Sequence, residues 1–239
     1  MSVIRVATLN AGSCRDKLVV EAAKDLNLAY LGGQEFSDQN DLEKDLRNAG
    51  FMCFQVGDTG GPATPVFWDP KQIRVTNHFA RLLLDRTNIG PGAGPSYNKP
   101  KYETILLAQT RPENKREEET RLYFGNSHVI PSLYMPRRGQ LGREMNAKSA
   151  TLAKTFKNNG RTIIKTLDGN AQWTTSNQYD AYKRIGLTTT HKQQDQLVTH
   201  RKTHRAIDHI INNAKCLKHG RENVESDHYL LWADLLVGT

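Results

Sequence analysis

The sequence predicts an α/β or α+β domain built of layered β-sheets, and three observations carry that expectation. Short apolar runs rich in Val, Ile, Leu and aromatic residues recur along nearly the whole chain. Three segments with a near four-residue apolar spacing interrupt them, as amphipathic helices do. No linker, repeat or low-complexity block divides the 239 residues, so residues 1–239 are read as one domain.

In chain order, residues 3–9 form a β-rich run that ends at Asn10 and a loop. Leu18, Ala22 and Leu26 mark a helix over residues 15–28, and residues 29–31 make a short strand broken by Gly32 and Gly33. Ser37 caps a second helix carrying Leu42, Leu46 and Ala49 and closed by Gly50. Residues 51–56 are a strand, residues 57–65 a Gly/Pro-rich loop, and residues 66–68 and 73–75 flank a turn at Asp69 and Pro70. Residues 86–100 are the longest irregular stretch and the expected functional loop. Residues 103–110 and 121–129 read as a hairpin around a polar turn. Leu141, Met145, Leu152 and Phe156 mark a third helix ending at Asn159 and Gly160. A strand over residues 161–170, a mixed segment with Tyr179 and Tyr182, and a basic loop over residues 188–205 follow. Residues 207–211 and 229–236 are the last two strands.

Hydrophobic residues make up 37% of the chain and charged residues 24%, enough for a sizeable core under a very polar surface. Thirty-three Lys and Arg against twenty-five Asp and Glu leave a net charge of +8. That excess favours an anionic partner, nucleic acid first and an anionic membrane surface second. The three cysteines, Cys14, Cys53 and Cys216, have neither disulfide nor zinc spacing, which predicts a reducing, cytoplasmic setting. Met1 leads directly into a strand pattern and not into a signal peptide. No apolar run approaches membrane-spanning length.

The chemistry gathers at strand ends. Asp168 and Asn170 close an apolar strand two residues apart, and in an extended chain both side chains share one face. Such a pair can hold a water, a phosphate oxygen or a hydrated cation, although an ordinary Asx turn accounts for Asp-Gly-Asn equally well. Asn10, Glu35, Glu103, Asn126 with His128, Asp208, and Asp227 with His228 stand in similar positions. Asp208 interrupts an Ile-rich run, where a lone carboxylate is costly to bury unless paired. Taken together, these residues predict a shared pocket at one edge of packed sheets. Most of the eight histidines, among them His78, His191 and His219, are read as surface or core residues.

The order of these motifs resembles the endonuclease/exonuclease/phosphatase superfamily, the group related to pancreatic-type DNases. The resemblance runs through the strand ending in Asn10, Gln34-Glu35, Asn126-Ser127-His128, Leu167-Asp168-Gly169-Asn170, Asp208 before an apolar pair, and Ser226-Asp227-His228. Leu167, Gly169 and Ser127 stand where the family has Gly, Phe and Thr, and Gly169 is expected to loosen its loop. The Tyr-containing motif of the abasic-site endonucleases is missing. The resemblance implies a four-layer sandwich: two mostly antiparallel sheets packed face to face, with helices outside and the site at the sandwich edge.

It also implies roles. Glu35 takes a Mg²⁺ or Mn²⁺ ion supported by Asn10 and Asp227, since such an ion accepts one or two carboxylates and keeps its waters. Asp168 orients or deprotonates the attacking water, and Asn170 holds it or a phosphate oxygen. His228 serves as acid or base, with Asp208 fixing its tautomer. Pairing Glu103 with His128 centres the hairpin turn between Lys115 and Arg116, inside the polar segment, and predicts a second carboxylate–imidazole pair. Asn126, Arg137, Arg201, Lys202 and Arg205 are the expected substrate contacts, the basic ones following a phosphate backbone. The leading reading is a Mg-dependent nuclease acting as a monomer on DNA or RNA. A phosphatase or phosphodiesterase of a small or lipid phosphate is the second, and a catalytically silent nucleic-acid-binding protein the third.

Overall fold

The computed structural model describes residues 1–12, 14, 16–36, 40–55, 64–85, 100–111, 118–129, 136–190 and 197–238. Two six-stranded sheets form the body of the molecule. The first runs in the order β11 (Lys215–Glu222), β12 (Leu230–Val237), β1 (Ser2–Asn10), β2 (Tyr30–Gln34), β4 (Val66–Trp68) and β3 (Met52–Phe54). The second runs β5 (Ile73–Leu84), β6 (Lys101–Thr110), β7 (Arg121–His128), β8 (Thr162–Asp168), β10 (Asp208–Asn212) and β9 (Thr188–Thr189). Among the described residues only the β1–β2 and β7–β8 pairs are parallel, so both sheets are mostly antiparallel as expected. Each parallel pair brackets one helix in sequence, α1 (Asp16–Asp25) and α3 (Pro136–Asn158), as a crossover requires.

Strand alternation builds the layers. Val6, Tyr30 and Leu231 from the first sheet meet Phe124, Ile164 and Ile210 from the second in one core between the sheets. The opposite face of the first sheet buries Leu9, Leu31 and Phe67 with Val19, Ala23, Leu42 and Leu46 of α1 and α2 (Asn40–Asn48). The opposite face of the second buries Tyr123, Ile163 and Leu167 with Ala150 and Ala153 of α3 and Tyr182 of α4 (Asp180–Arg184). The four layers expected from the resemblance are thus present.

The four α-helices of the described residues stop in the same way. Asn27, Gly50, Gly160 and Gly186 have positive φ, and the next residue's amide reaches back to a carbonyl of the last turn, as in Leu28 to Ala23 at 3.1 Å. Asn27 in this left-handed position ends α1 before Leu28, where the apolar spacing alone carried the helix on. Other differences are additions. β11 is a polar edge strand whose Lys, Gly and Arg give no apolar alternation, and β5 continues to Leu84 well past its apolar start. The cap at Ser37, most of the 57–65 loop and residues 86–99 lie outside the described residues.

The hairpin register differs from expectation by one residue. Thr104 pairs with Asn126 and Gln109 with Arg121, so Glu103 stands one position short of His128. A one-residue slip turns a side chain to the other face. Glu103 accordingly lies beneath the helices, fully buried, and does not support His128. It accepts hydrogen bonds from Lys165 Nζ and, at 2.8 Å, from Tyr123 Oη, and Gly125 leaves the room for them. Burial pushes the Lys165 ammonium pKa down, against the attraction of Glu103. Glu103→Ala strands this buried cation, and chemical denaturation should show a loss of about 3–5 kcal/mol. The double change Glu103→Leu, Lys165→Met should recover most of that loss, and a cost of Glu103→Ala below about 1 kcal/mol would show the pair to be dispensable.

Candidate active site

The face between the sheets changes character along each strand. β8 presents Ile164, Thr166 and Asp168 to it, β7 presents Phe124, Asn126 and His128, and β1 presents Val6, Thr8 and Asn10. The first row is core. The middle row ties the sheets together. Asn126 Nδ2 donates to the carbonyls of Gly33 at 2.6 Å and Pro65 at 2.9 Å. Its Oδ1 accepts from Gln34 Nε2 at 2.6 Å and Thr166 Oγ1 at 3.1 Å. Asn126 is fully buried and its amide is fully engaged, so it braces the site and contacts no substrate, contrary to the expectation.

The last row opens at the sheet edge. Asp168 Oδ2 accepts from Asn10 Nδ2 at 3.0 Å, and its Oδ1 accepts from the Asn170 amide at 2.9 Å. The Asx turn and the polar cluster are therefore one structure, with Asn170 in the left-handed region at φ 51°. Asn170 Nδ2 donates to the Val129 carbonyl at 2.9 Å and lies 3.2 Å from His128 Nε2. That nitrogen is also 3.5 Å from Asp168 Oδ2 and 3.7 Å from Glu35 Oε1. His128, which Glu103 was expected to support, has its Nδ1 buried with no hydrogen-bond partner among the described residues.

Glu35 follows β2 at φ 57°, an uncommon backbone for a residue with a long side chain. Its Oε2 and Asn10 Oδ1 flank Gly12, lying 2.6 Å and 3.4 Å from the point a Cβ would occupy there. Gly169 is also explained. A side chain in its place would collide with the Tyr179 hydroxyl, which donates to the Ala171 carbonyl at 2.8 Å. The tyrosine fills the space beside Gly169, so the loop is packed and not loosened.

Asp208 pairs with Asp168 across β10 and β8, and its Oδ2 lies 2.9 Å from His228 Nδ1. Thr199 Oγ1 accepts from the amides of Ile207 and Asp208, which fixes the entry to this strand. One ligand atom each from Asp168, Asp208 and His228 lie within 4.8 Å of one another. Burial alone disfavours a charged His228, but Asp208, Asp168 and Asp227 outweigh it and lift the imidazole pKa to about 10. Asp227, expected to support the ion beside Glu35 and Asn10, groups with His200 and His228, again within 4.8 Å, and accepts from Lys202 Nζ at 3.4 Å. Ser226 Oγ links it to the Asn10 carbonyl. Burial works against ionised Asp227, yet His228, Lys202 and His200 hold its pKa below the usual carboxylate value.

The basic side chains of the loop divide among different partners. Arg201 donates to Asn223 Oδ1 at 3.1 Å and lies 5.7 Å from the Tyr229 ring, while Lys202 is turned to Asp227. Arg205 does line a polar cleft of about 480 Å³ beside Asn170, with Gln172, Thr175 and Asn177. The Arg137 side chain lies outside the described residues. Two groups at the site escaped the sequence reading. Gln34 was visible in the Gln34-Glu35 pair but gave no hint that it braces Asn126, and His200 lies in a loop without any spacing signal.

The His228 value has a signed consequence. Its folded pKa of about 10 exceeds the ordinary 6.5, so its contribution to stability is full below about 6.5 and is lost as pH rises through about 10. Metal-free protein should lose unfolding free energy over this window, and Asp208→Asn should flatten the loss. NMR titration of the His228 ring gives the direct check, with a midpoint near 6.5 in the unmodified protein as the opposing outcome.

No family model matches the chain, and no curated protein matches it in sequence. Solved structures do. An endonuclease/exonuclease/phosphatase protein from Bacteroides vulgatus superposes with a TM-score of 0.76 at 17% identity, covering 100% of both chains. The mannosyl-6-phosphatase Bt3783 of Bacteroides thetaiotaomicron gives 0.72 at 17% identity, covering 98% of this chain and 99% of that one. D. rerio TDP2 complexed with a single-strand DNA product gives 0.68 at 11% identity, covering 99% and 100%. The chain therefore has the DNase I-like fold shared by proteins of the endonuclease/exonuclease/phosphatase family.

Proposed function

We propose that the protein is a divalent-metal-dependent phosphoester hydrolase of the endonuclease/exonuclease/phosphatase family, acting on phosphodiesters of nucleic acid. The observation that carries this reading is the convergence of Glu35, His128, Asp168 and Asn170 on one side with Asp208 and His228 on the other, at the edge of one sandwich. TDP2, a structure of the same fold, is complexed with a DNA product, which supports the choice of substrate.

The donor set fits a hard cation. Glu35 Oε2 and Asn10 Oδ1 flank a glycine whose missing Cβ keeps the space between them open. A carboxylate and an amide oxygen of this kind suit Mg²⁺ or Mn²⁺. When bound, such an ion offsets charge developing on the phosphoryl oxygens. The remaining work belongs to the side chains. Asp168, held by Asn10 and by the Asn170 amide, orients the attacking water and takes its proton. Asn170 keeps His128 in place beside Asp168. His228, kept cationic by its carboxylate neighbours, points the nitrogen not used by Asp208 at the phosphate and supplies a proton to the departing oxygen.

A second reading has its own observation. Arg201 donates to Asn223 and Lys202 pairs with Asp227, while Arg205 faces a cleft of neutral amides and hydroxyls. One cation among such groups suits a single phosphate on a small polyol as well as a polymer backbone. One of the structural neighbours is a mannosyl-6-phosphatase.

The test compares bis(p-nitrophenyl) phosphate, single-stranded DNA, RNA and a hexose phosphate, with Mn²⁺, Mg²⁺ or chelator. Diester hydrolysis that chelator abolishes is expected, and undiminished turnover in chelator would end the metal-dependent reading. His228→Ala should lower kcat on the order of 10²–10⁴-fold. Asp208→Asn should lower kcat with little change in KM, and the two losses should be far from additive because the residues act as one unit. Turnover of hexose phosphate alone would favour the small-substrate reading.

Gly12→Ala isolates the ion site. The new methyl group presses only on the flexible end of Glu35, so folding stability should be nearly unchanged while Mn²⁺ affinity falls severalfold. Isothermal titration gives the answer, and equal Mn²⁺ affinity in both proteins would separate Glu35 from the ion.

A further inference from the structure

We propose that His200 is a second imidazole donor of this site, presenting its Nε2–H beside His228 to an oxygen of the bound phosphoryl group. The inference rests on the phosphoester-hydrolase reading above and adds a residue to it.

The backbone holds His200 in place from both sides. Its amide donates to the Arg205 carbonyl at 3.0 Å, the neighbouring Arg201 amide donates to the Asp227 carbonyl at 2.7 Å, and Tyr229 donates to Thr199 at 2.8 Å. His200 thereby bridges Arg205 on one side and His228 on the other. The two imidazole rings meet edge to face, with centroids 4.6 Å apart and planes at 88°. His200 keeps 15% of its side chain exposed, enough to meet a ligand at the edge of the cleft.

The tautomer follows from hydrogen bonding. The Thr203 amide lies 3.1 Å from His200 Nδ1, and an amide can only donate. Nδ1 therefore carries the lone pair, the Thr203 hydroxyl at 2.9 Å can add a second donor, and the ring hydrogen sits on Nε2. Nε2 is 4.0 Å from Asp227 Oδ2, beyond hydrogen-bond reach.

This tautomer decides between two roles for the group formed by His200, Asp227 and His228, whose ligand atoms lie within 4.8 Å of one another. Two imidazoles and a carboxylate resemble a transition-metal site. A metal-bound imidazole, however, ligates through one nitrogen and donates from the other. His200 has this reversed: the outer nitrogen accepts from Thr203, and the nitrogen facing the cluster holds the hydrogen. It is built to donate to an oxygen and not to bind a cation. His228 differs: its Nδ1 donates to the Asp208 carboxylate, which leaves its Nε2 turned to the ligand. The His200 Nε2–H, on a ring packed against His228, suits an anionic oxygen, while Lys202 offsets the nearby Asp227 carboxylate.

The experiment reads equilibrium binding of inorganic phosphate to the Mn²⁺-loaded protein, together with ¹⁵N NMR of the imidazole rings. The unmodified protein should show His200 as the Nε2–H tautomer, with that signal shifting when phosphate is added. His200→Phe keeps the ring packing against His228 but removes the donor, and should weaken phosphate binding on the order of tenfold. His200→Gln restores an N–H near the same place and should recover binding to within about threefold of the unmodified protein. Mn²⁺ affinity should be unchanged in both variants, and circular dichroism checks their folding. An Nδ1–H tautomer, phosphate affinity unaffected by His200→Phe, no phosphate binding by the unmodified protein, or a more than tenfold loss of Mn²⁺ affinity in either variant would each overturn the assignment. These readouts need no turnover. Failure to hydrolyse any phosphodiester would count against the proposed function and would leave the anion site of His200 standing on its own data.

Discussion

The Asn126 amide is the constraint on which the two halves of the site depend. It sits between the sheets with both carbonyls it serves, Gly33 and Pro65, on the side of the first sheet. Its own oxygen is shared by Gln34 of the first sheet and Thr166 of the second. A buried amide with partners on both sheets fixes their separation and their offset, because apolar packing alone slides more freely than a hydrogen bond stretches. Gly32 makes the approach close enough, since a side chain there would run into Thr166. Gln34 and Asn126 are each followed within two residues by a site residue, Glu35 and His128. The distance of 3.7 Å between those two is thus set one layer below them.

Much of this was legible in the sequence because strand periodicity does two things at once. Residues two apart share a face, so a strand that turns apolar side chains into the core must turn the next ones of that parity into whatever the core opens onto. Ile164, Thr166 and Asp168 are such a column, and so are Phe124, Asn126 and His128. The column also explains why the polar residues gather at strand ends and why they meet from several strands. What periodicity could not give was function within the column. Asn126 and His128 stand in the same file, but one is sealed between the sheets and the other lies at the edge.

The misread positions share a different cause. Hairpin arithmetic placed Glu103 opposite His128, but a turn of uncertain length leaves register free by one residue, and one residue exchanges the faces. The interior beneath the helices then holds an ion pair that nothing in the local sequence marks, since Lys165 and Glu103 are 62 positions apart. The basic loop shows a different limit of composition: charge says nothing about where a long side chain turns, and here Arg201 meets Asn223 and Tyr229, Lys202 meets Asp227, and Arg205 reaches the cleft. His200 lay in the same loop, and only its bridge to His228 brings it to the site.

The two sides of the site differ in a way that follows from their supports. Around Asp168 nearly every neighbour is neutral or acidic: Asn10, Asn170, the neutral face of the amide backbone and Glu35 near the same histidine. Around His228 an imidazole drawn toward its charged form stands among Asp208, Asp168 and Asp227. On the proposed function, a phosphoester between them would meet carboxylate and amide oxygens on one side and imidazole nitrogens on the other. The first side suits a cation and a water, which oxygen ligands organise, and the second suits the anionic oxygens of the phosphoryl group, which N–H groups receive. β8 and β10 carry the boundary between the two, because Asp168 and Asp208 are direct cross-strand partners. The same antiparallel pairing that closes the sheet thus sets the two carboxylates side by side, one held by Asn10 and the Asn170 amide and the other against the His228 imidazole.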